Sequence, residues 1–264
     1  MSAARASESR SRRWRHRADL VSHLARREFS LRYHDSALGV LWSLLLPLAQ
    51  LLVLVFLFQR VIPLGIDAYP AFVLSALLPW SWFSASVSAA SGLFVGNRDL
   101  VRQPGFAPAM LVVVNALSNL VSLLVSLPIL LVLLGWYGRE PGLSLLLLPV
   151  LLLIQGVLTV GIGLGVATLN VFYRDVQHIV AVALMLLFYL TPVFYRTQEV
   201  GAGFRWLFRL NPIAVLVEGY RTVFFLGTVP AAGPLVLAAA SSAGIGAIAY
   251  WIYQAQRHDL VDAL

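Results

Sequence analysis

The sequence predicts an all-α polytopic membrane protein with six transmembrane helices. Hydrophobic residues make up 59% of the chain and charged residues only 12%, whereas soluble domains are about 25% charged. The mean hydropathy is +0.83. The stretch from Ala37 to Gln59 contains no charged residue. As a helix it would be about 34 Å long, enough to cross a hydrocarbon core of about 30 Å.

Composition excludes several classes of function. The chain has no cysteine, so thiol catalysis, thiolate metal sites and disulfides are excluded. It has no GxxxxGK[ST] motif with which to bind nucleotide phosphates. Its histidines form no metal-binding pair, and no acidic residue lies within a predicted span, which argues against a proton-coupled carrier. We therefore predict no catalytic residue, no metal site and no cofactor bound by this chain.

The net charge of +7 is concentrated at the N-terminus, where nine of the nineteen arginines precede residue 33. Residues 1–17 read as a disordered, arginine-rich cytoplasmic tail that attracts anionic membrane lipid, and no nucleic-acid partner is expected because no folded scaffold accompanies the charges. Residues 18–35 read as an amphipathic interface helix. Residues 36–253 form the six-span domain, and 254–264 the cytoplasmic C-terminal end.

The later spans follow from apolar runs separated by polar connections. They are Tyr69 to Gly96, with Pro79 inside it, then 109–137, 143–169, 176–194, with Pro192 interrupting it, and 235–253. In the fourth span, Gly156, Gly161, Gly163 and Gly165 permit close approach of helices, and Gly161 and Gly165 have the GxxxG spacing. A packing role is therefore predicted for these glycines.

Residues 197–226 do not fit a simple loop. The apolar part, 213–226, is too short to span and contains Glu218 and Arg221, and each charge would cost about 2.5–3.5 kcal/mol at mid-bilayer. Re-entrant or interfacial helices buried against protein are the better interpretation. Asn211 and Pro212 have the pattern of a helix start. Glu218 is either an ion-pair or capping partner of Arg221 or of a neighbouring helix, or a proton-handling group.

Arginine counts set the predicted orientation. With six spans both termini lie on one side, where thirteen arginines fall, against six on the other. The positive-inside rule then places both termini in the cytoplasm.

Four segments carry a resemblance to a known family. REFSLRYHDSALGVLWSLLLPL, from Arg27 to Leu48, resembles the segment that leads into the first span of bacterial ABC-type polysaccharide exporter permeases. LVRQPGFAP at 100–108, GVATLNVFYRDV at 165–176 and NPIAVLVEGYR at 211–221 agree in order and spacing. The resemblance covers nearly the whole chain beyond the arginine tail.

This resemblance implies the permease subunit of a type-2 ABC exporter in the bacterial plasma (inner) membrane. Such permeases move lipid-linked polysaccharide of the O-antigen, teichoic-acid or galactan type outward. They work as homodimers with two copies of a separate ATPase subunit, which binds ATP and Mg. One alternative is the same architecture exporting a drug or small lipid. A second is a polytopic transferase, which would need an acidic pair or a metal site at a membrane face.

The resemblance also implies roles for particular residues. An ATPase-contacting coupling loop would comprise Asn97, Arg98, Asp99, Leu100, Val101 and Arg102. The interface helix would add Arg26, Arg27, Glu28, Arg32 and Tyr33. An outer gate would contain Asn211, Pro212, Glu218, Tyr220 and Arg221. Sugars stack on aromatic rings, so the candidate channel-lining aromatics are Trp42, Phe188, Tyr189, Phe194 and Tyr195; ordinary packing or an interfacial aromatic belt is the alternative for these.

Overall fold

The computed structural model describes residues 41–264. The predicted tail at 1–17, the predicted interface helix at 18–35 with its candidate contact residues, and the start of the first span lie outside the described residues. Trp42 lies in the first turn of a described helix, but the description of side chains begins after it.

Regular structure within residues 41–264 is helical throughout. The α-helices are α1 (Leu41–Phe56), α2 (Tyr69–Ser91), α3 (Leu93–Gly96), α4 (Arg98–Val101), α5 (Ala109–Trp136), α6 (Leu148–Phe172), α7 (Val176–Tyr189), α8 (Arg205–Leu210), α9 (Pro212–Phe224), α10 (Ala232–Ala255) and α11 (Arg257–Ala263). A π-helical turn, Leu57–Val61, extends α1, and a 3₁₀ turn, Leu143–Leu147, precedes α6.

Five of the described helices are long and apolar enough to cross a membrane. They are Leu44–Val61, α2, α5, Leu143–Phe172 and α10. The predicted fifth span, 176–194, is shorter than expected because α7 ends at Tyr189. Its 14 residues give a helix about 21 Å long. Pro192 lacks an N–H and disfavours helical geometry at Thr191, which accounts for the early end.

The second span, α2, is the central helix of the bundle. It packs against α1, α5, α6, α7 and α9. Of the five candidate spans it has the lowest mean hydropathy, yet 78% of its most apolar 18-residue window is buried inside the protein, against 17–33% for the corresponding windows of the others. Its six serines lower the hydropathy, and neighbouring helices surround most of the helix.

The bundle has two ends, which we name after one residue at each. At the Arg98 end, α3, α4 and α11 pack around one apolar cluster formed by Phe94, Val101, Leu111, Val112, Leu164, Ala167, Val171, Tyr253 and Leu260. At the Arg221 end, α9 inserts between α2, α6 and α10. The N-terminal cap of α9 confirms the predicted helix start: Asn211 Oδ1 accepts hydrogen bonds from the backbone N–H groups of Ile213 (3.2 Å) and Ala214 (3.4 Å).

The helices α6 and α10 approach closely through glycine. An ideal Cβ placed on Gly161 would lie 2.8 Å from the Cα of Gly246, and a Cβ on Gly165 would lie 3.5 Å from the Cβ of Ala249. The predicted packing role is confirmed for Gly161, Gly163 and Gly165, but not for Gly156, whose Cβ would meet only the end of one side chain. The facing glycine, Gly246, was not singled out in the sequence.

We expect Gly161→Ala to lower the unfolding temperature of the purified protein in detergent, because its methyl group must push α10 away. Overpacking of this kind costs about 1–3 kcal/mol. Gly156→Ala in the same helix is the matched control, since its Cβ would meet only Trp82 Cη2 at 3.8 Å. Equal thermal stability of the two variants, measured by fluorescence-detected size exclusion after heating, would contradict the close approach.

Candidate functional site

A cavity of about 770 Å³ lies among α1, α2, α5 and α7. Its polar lining consists of Gln50, Ser81, Ser84, Ser88, Asn119, Ser122 and Ser126. Its aromatic lining is Trp80 and Trp82, and Trp82 Nε1 donates a hydrogen bond to the carbonyl of Ala116 on α5 (2.9 Å). The cavity therefore offers hydroxyl, amide and aromatic groups between apolar helices.

The polar lining forms two rows. Residues 81, 84 and 88 on α2 are spaced i, i+3, i+7, and so are 119, 122 and 126 on α5. This spacing puts each set on one helical face, and both faces line the cavity. Our reading of the sequence missed these rows, although their spacing inside predicted spans was a visible signal.

Four of the five predicted channel-lining aromatics come together in one cluster. Phe188 contacts Tyr189 (ring centroids 5.5 Å apart) and Phe194 (5.7 Å), and Phe194 contacts Tyr195 (5.0 Å). The Tyr195 hydroxyl donates a hydrogen bond to the carbonyl of Tyr189 (2.9 Å), which holds the turn after α7. The sequence positions of these four residues did not predict that their rings are in contact, because the chain reverses its direction between Tyr189 and Phe194.

The aromatic cluster reaches the cavity through Trp80, whose ring centroid lies 5.7 Å from that of Phe188. Phe58, in the turn after α1, stacks on Phe194 at 5.2 Å with the rings 13° from parallel. Trp80 and Phe58 are members that the sequence did not single out for this role. The structure does not describe the side chain of Trp42, so its predicted role stays a prediction.

Arg221 is the most heavily engaged charge at the Arg221 end. Only 2% of the residue is exposed. Its Nη1 donates a hydrogen bond to Glu218 Oε2 (2.8 Å), and its Nη2 donates to the carbonyls of Pro192 (2.5 Å) and Val193 (2.8 Å). Its Cζ lies 3.9 Å from the centroid of the Phe72 ring on α2. Arg221 therefore fixes α9 to both α2 and the turn after α7.

These contacts include the ion pair that was one of the interpretations of Glu218. The carboxylate forms the expected ion pair with Arg221 at the i, i+3 spacing. Burial lowers the pKa of Arg221 below its ordinary value, and the Glu218 carboxylate opposes that change. The carboxylate and the two carbonyl oxygens that accept from the guanidinium favour its charged form.

The other predicted gate residues have structural contacts. Asn211 caps α9, as described above, and Pro212 occupies the first helical position. Tyr220 is fully buried and stacks on Phe224 with a centroid distance of 6.3 Å.

The predicted coupling loop is an exposed protrusion on a buried base. The side chain of Asp99 is 96% exposed and that of Arg98 is 65% exposed, and Arg102 is also exposed. Val101, by contrast, is 3% exposed and belongs to the apolar cluster at the Arg98 end, with Leu100 packed against it. Asn97 Nδ2 donates a hydrogen bond to the carbonyl of Leu93 (2.9 Å), which fixes the start of the protrusion.

The C-terminal helix α11 supports the same base. Leu260 is 1% exposed and joins Val101 and Phe94 in the cluster, while Leu264 packs against it. This contact was not predicted, because the C-terminal end was read only as a cytoplasmic tail.

Among residues 41–264, no group of three or more His, Asp or Glu side chains is placed to hold a metal ion.

Several apolar helices of spanning length, a hydroxyl-lined cavity between them and a charged protrusion at one end define a multi-pass membrane protein of the transporter type. Residues 19–225 match the model of the ABC-2 type transporter family, and the chain belongs to this family.

Several similar proteins have names that describe export of polysaccharide. The chain is 35% identical to the O-antigen export system permease protein RfbA of Myxococcus xanthus, over 95% of this chain and 97% of that protein. It is 30% identical to the protein of the same name from Klebsiella pneumoniae, over 80% and 82%. It is 27% identical to the polysialic acid transport protein KpsM of Escherichia coli, over 78% and 81%. The resemblance drawn from the four sequence segments is confirmed.

Proposed function

We propose that this chain is the permease subunit of an ATP-driven exporter that moves lipid-linked polysaccharide outward across the bacterial plasma membrane. The observation that carries the proposal is the cavity among α1, α2, α5 and α7, with its two polar rows and the adjoining aromatic cluster. The names of the relatives, which denote O-antigen export and polysialic acid transport, support it.

The lining suits a sugar better than a drug. Sugar rings carry hydroxyl groups around the edge and apolar C–H groups on the face, so they need both hydrogen-bonding partners and aromatic surfaces. Serine hydroxyls both donate and accept hydrogen bonds, and tryptophan offers a broad apolar face with a polar edge. Nine of the sixteen lining residues are apolar or aromatic, but the other seven are polar, more than the small number of polar groups typical of a drug or small-lipid site.

The proposed topology has six spans. The short helix α7 serves as the fifth span, completed by the turn at 190–196, and α8 and α9 are re-entrant helices. Both termini lie in the cytoplasm, which puts the Arg98 end there and the Arg221 end outside. Thirteen arginines on the side of the termini against six on the other support this orientation, and nine of the thirteen precede residue 33.

The proposed assembly is a homodimer with two ATPase subunits. The energy for transport comes from ATP and Mg bound by the ATPase, because this chain has no nucleotide-binding loop. The exposed residues of the protrusion at the Arg98 end, together with the interface helix at 18–35, contact the ATPase. Movement of the protrusion reaches α2 through α3, which lies between them in the chain, and α2 carries one polar row of the cavity.

The proposal is tested by deleting the gene and restoring it in variant forms. We expect the deletion strain to lose surface polysaccharide and to accumulate lipid-linked glycan inside the cell, and the wild-type gene to reverse both effects. Ser88→Trp should export little more than the deletion strain, because the indole would fill the cavity. Both surface glycan and internal lipid-linked glycan are measured on gels after extraction.

Ala243→Trp is the control, since Ala243 is exposed on α10 and away from the cavity. It should export normally at the same folded yield as Ser88→Trp. Unchanged surface glycan in the deletion strain would refute the function, and normal export by Ser88→Trp would refute the assignment of the cavity.

A further inference from the structure

We propose that a second cavity, at the Arg221 end, binds a sugar unit of the glycan as it leaves the protein; this inference rests on the proposed function. The cavity has a volume of about 360 Å³ and lies among α8, α9, the connection at 192–198 and the start of α10. This volume falls within the range of about 300–1,000 Å³ that is common for small-molecule sites. We name it the exit cavity.

The described walls of the exit cavity present charges, hydroxyls and an aromatic ring together. Arg209 and Glu218 are its charged lining residues, Thr197 and Thr222 contribute hydroxyls, and Phe208 contributes the ring. The Glu218 side chain is 37% exposed even though it pairs with Arg221. A carboxylate has about four acceptor positions, so this group can accept further hydrogen bonds from a ligand.

This combination fits a sugar. Each hydroxyl of a sugar both donates and accepts, and here donors on Arg209 lie in the same cavity as acceptors on Glu218. The single positive and single negative charge of the described lining balance, which gives no preference for a phosphate or a metal cation. The Phe208 ring provides an apolar face for the C–H side of a sugar ring.

A series of aromatic rings connects the exit cavity to the cavity among α1, α2, α5 and α7. The ring centroid of Phe208 lies 6.1 Å from that of Tyr195, which belongs to the aromatic cluster. That cluster ends at Trp80, which lines the first cavity. Each step is 5.0–6.1 Å between neighbouring ring centroids. The two cavities thus share one aromatic path, and the same glycan would occupy both.

The walls of the exit cavity are held in place before any ligand binds. Arg221 donates to both Glu218 and the carbonyl of Pro192, so that it links two parts of the lining, α9 and the connection at 192–198. Pro230 and Pro234 stiffen the third side. A rigid site loses less conformational entropy on binding. Such a site would hold the emerging chain between two cycles of the ATPase and oppose its backward movement.

The test measures binding and export with the full-length protein in lipid nanodiscs and in cells. The probe is short oligosaccharide released by mild acid from the surface polysaccharide that the wild-type strain exports. Using isothermal titration calorimetry, we expect saturable binding to the wild-type protein. Phe208→Leu and Arg209→Gln should each weaken binding by about tenfold or more, which corresponds to about 1.4 kcal/mol, a common value for a lost charged hydrogen bond or aromatic contact.

Phe204→Leu and Arg174→Gln are matched controls, because both residues are exposed and neither lines the exit cavity. They should bind like the wild-type protein. In cells, Phe208→Leu and Arg209→Gln should slow export at normal folded yield. Equal oligosaccharide affinity in all four variants would overturn the proposal that the exit cavity binds a sugar unit. Failure of the wild-type protein to bind the oligosaccharide would overturn it as well. Neither result affects the proposed function, which fails only if deletion leaves export intact.

Discussion

Arg221→Ala is expected to remove almost all folded protein from the membrane. The substitution leaves the carbonyls of Pro192 and Val193 without their buried donor and opens a void against the Phe72 ring. Each buried carbonyl left unsatisfied costs about 1–3 kcal/mol, so the two together are a large share of the total of about 5–15 kcal/mol that stabilises a typical folded protein. Folded yield is measured by size exclusion of a fluorescent fusion after detergent extraction.

A graded series separates the contributions at this position. Arg221→Lys keeps the positive charge but lacks the planar group that reaches Glu218 and two carbonyls at once, so we expect an intermediate yield. Glu218→Gln should reduce the folded yield least of the three, because the side chain at this position is half-buried and the amide oxygen of the new glutamine can still accept a hydrogen bond from Arg221. A normal yield for Arg221→Ala, or a worse one for Glu218→Gln, would show that Arg221 is not the link between α9 and its neighbours.

The sequence predicted those features of this site that depend on neighbouring residues. An ion pair between Glu218 and Arg221 was one of the interpretations that the sequence left open, and the Asn211–Pro212 pair indicated the helix start; the structure contains both. The positions of five long apolar helices followed from hydropathy for the same reason, since each run must be continuous along the chain.

Features that depend on contacts between distant segments were not predicted. The chain comes back on itself after α7, and this return brings Phe194 beside Phe58 although 136 positions separate them in the sequence. The central position of α2 was also missed, because low hydropathy is typical both of a helix in contact with water and of one shielded by other helices. Only the positions of the neighbouring helices distinguish the two.

The glycine spacing in α6 predicted that a helix approaches closely, but not which helix it is. Gly161 and Gly165 indicated that some helix approaches α6 closely, and the spacing rule needs no further information. The identity of the partner, α10, and of the facing residue, Gly246, depends on how the helices are arranged around α6. A single sequence contains no direct record of that arrangement.

The second large effect is expected at the Arg98 end. Exchanging two neighbouring charges, by combining Arg98→Glu with Asp99→Arg, should separate the permease from its ATPase while leaving the permease folded. Both side chains are largely exposed, and the exchange preserves the net charge of the protrusion. Folding energy at these positions is small, because an exposed ion pair contributes about 0–1 kcal/mol.

The charge exchange should weaken binding of the ATPase much more than it weakens folding of the permease. A complementary surface on the ATPase would face a reversed pattern, and like charges brought together in an interface cost several kcal/mol. We therefore expect the amount of ATPase that copurifies with a tagged permease to fall by about tenfold or more, since about 1.4 kcal/mol suffices for a tenfold change. Surface glycan should fall with it.

Val101→Asp provides the contrasting variant, because Val101 is the buried anchor of the same segment and packs in one cluster with Leu260 of the C-terminal helix. An unpaired carboxylate there should reduce folded yield itself, as burial of a charge without a partner is costly. If both outcomes hold, the segment has an outward face that binds the ATPase and an inward face that is needed for folding. If the charge exchange copurified with the ATPase at the wild-type level, the protrusion would not be the contact, and the predicted interface helix at 18–35 would be the next segment to test.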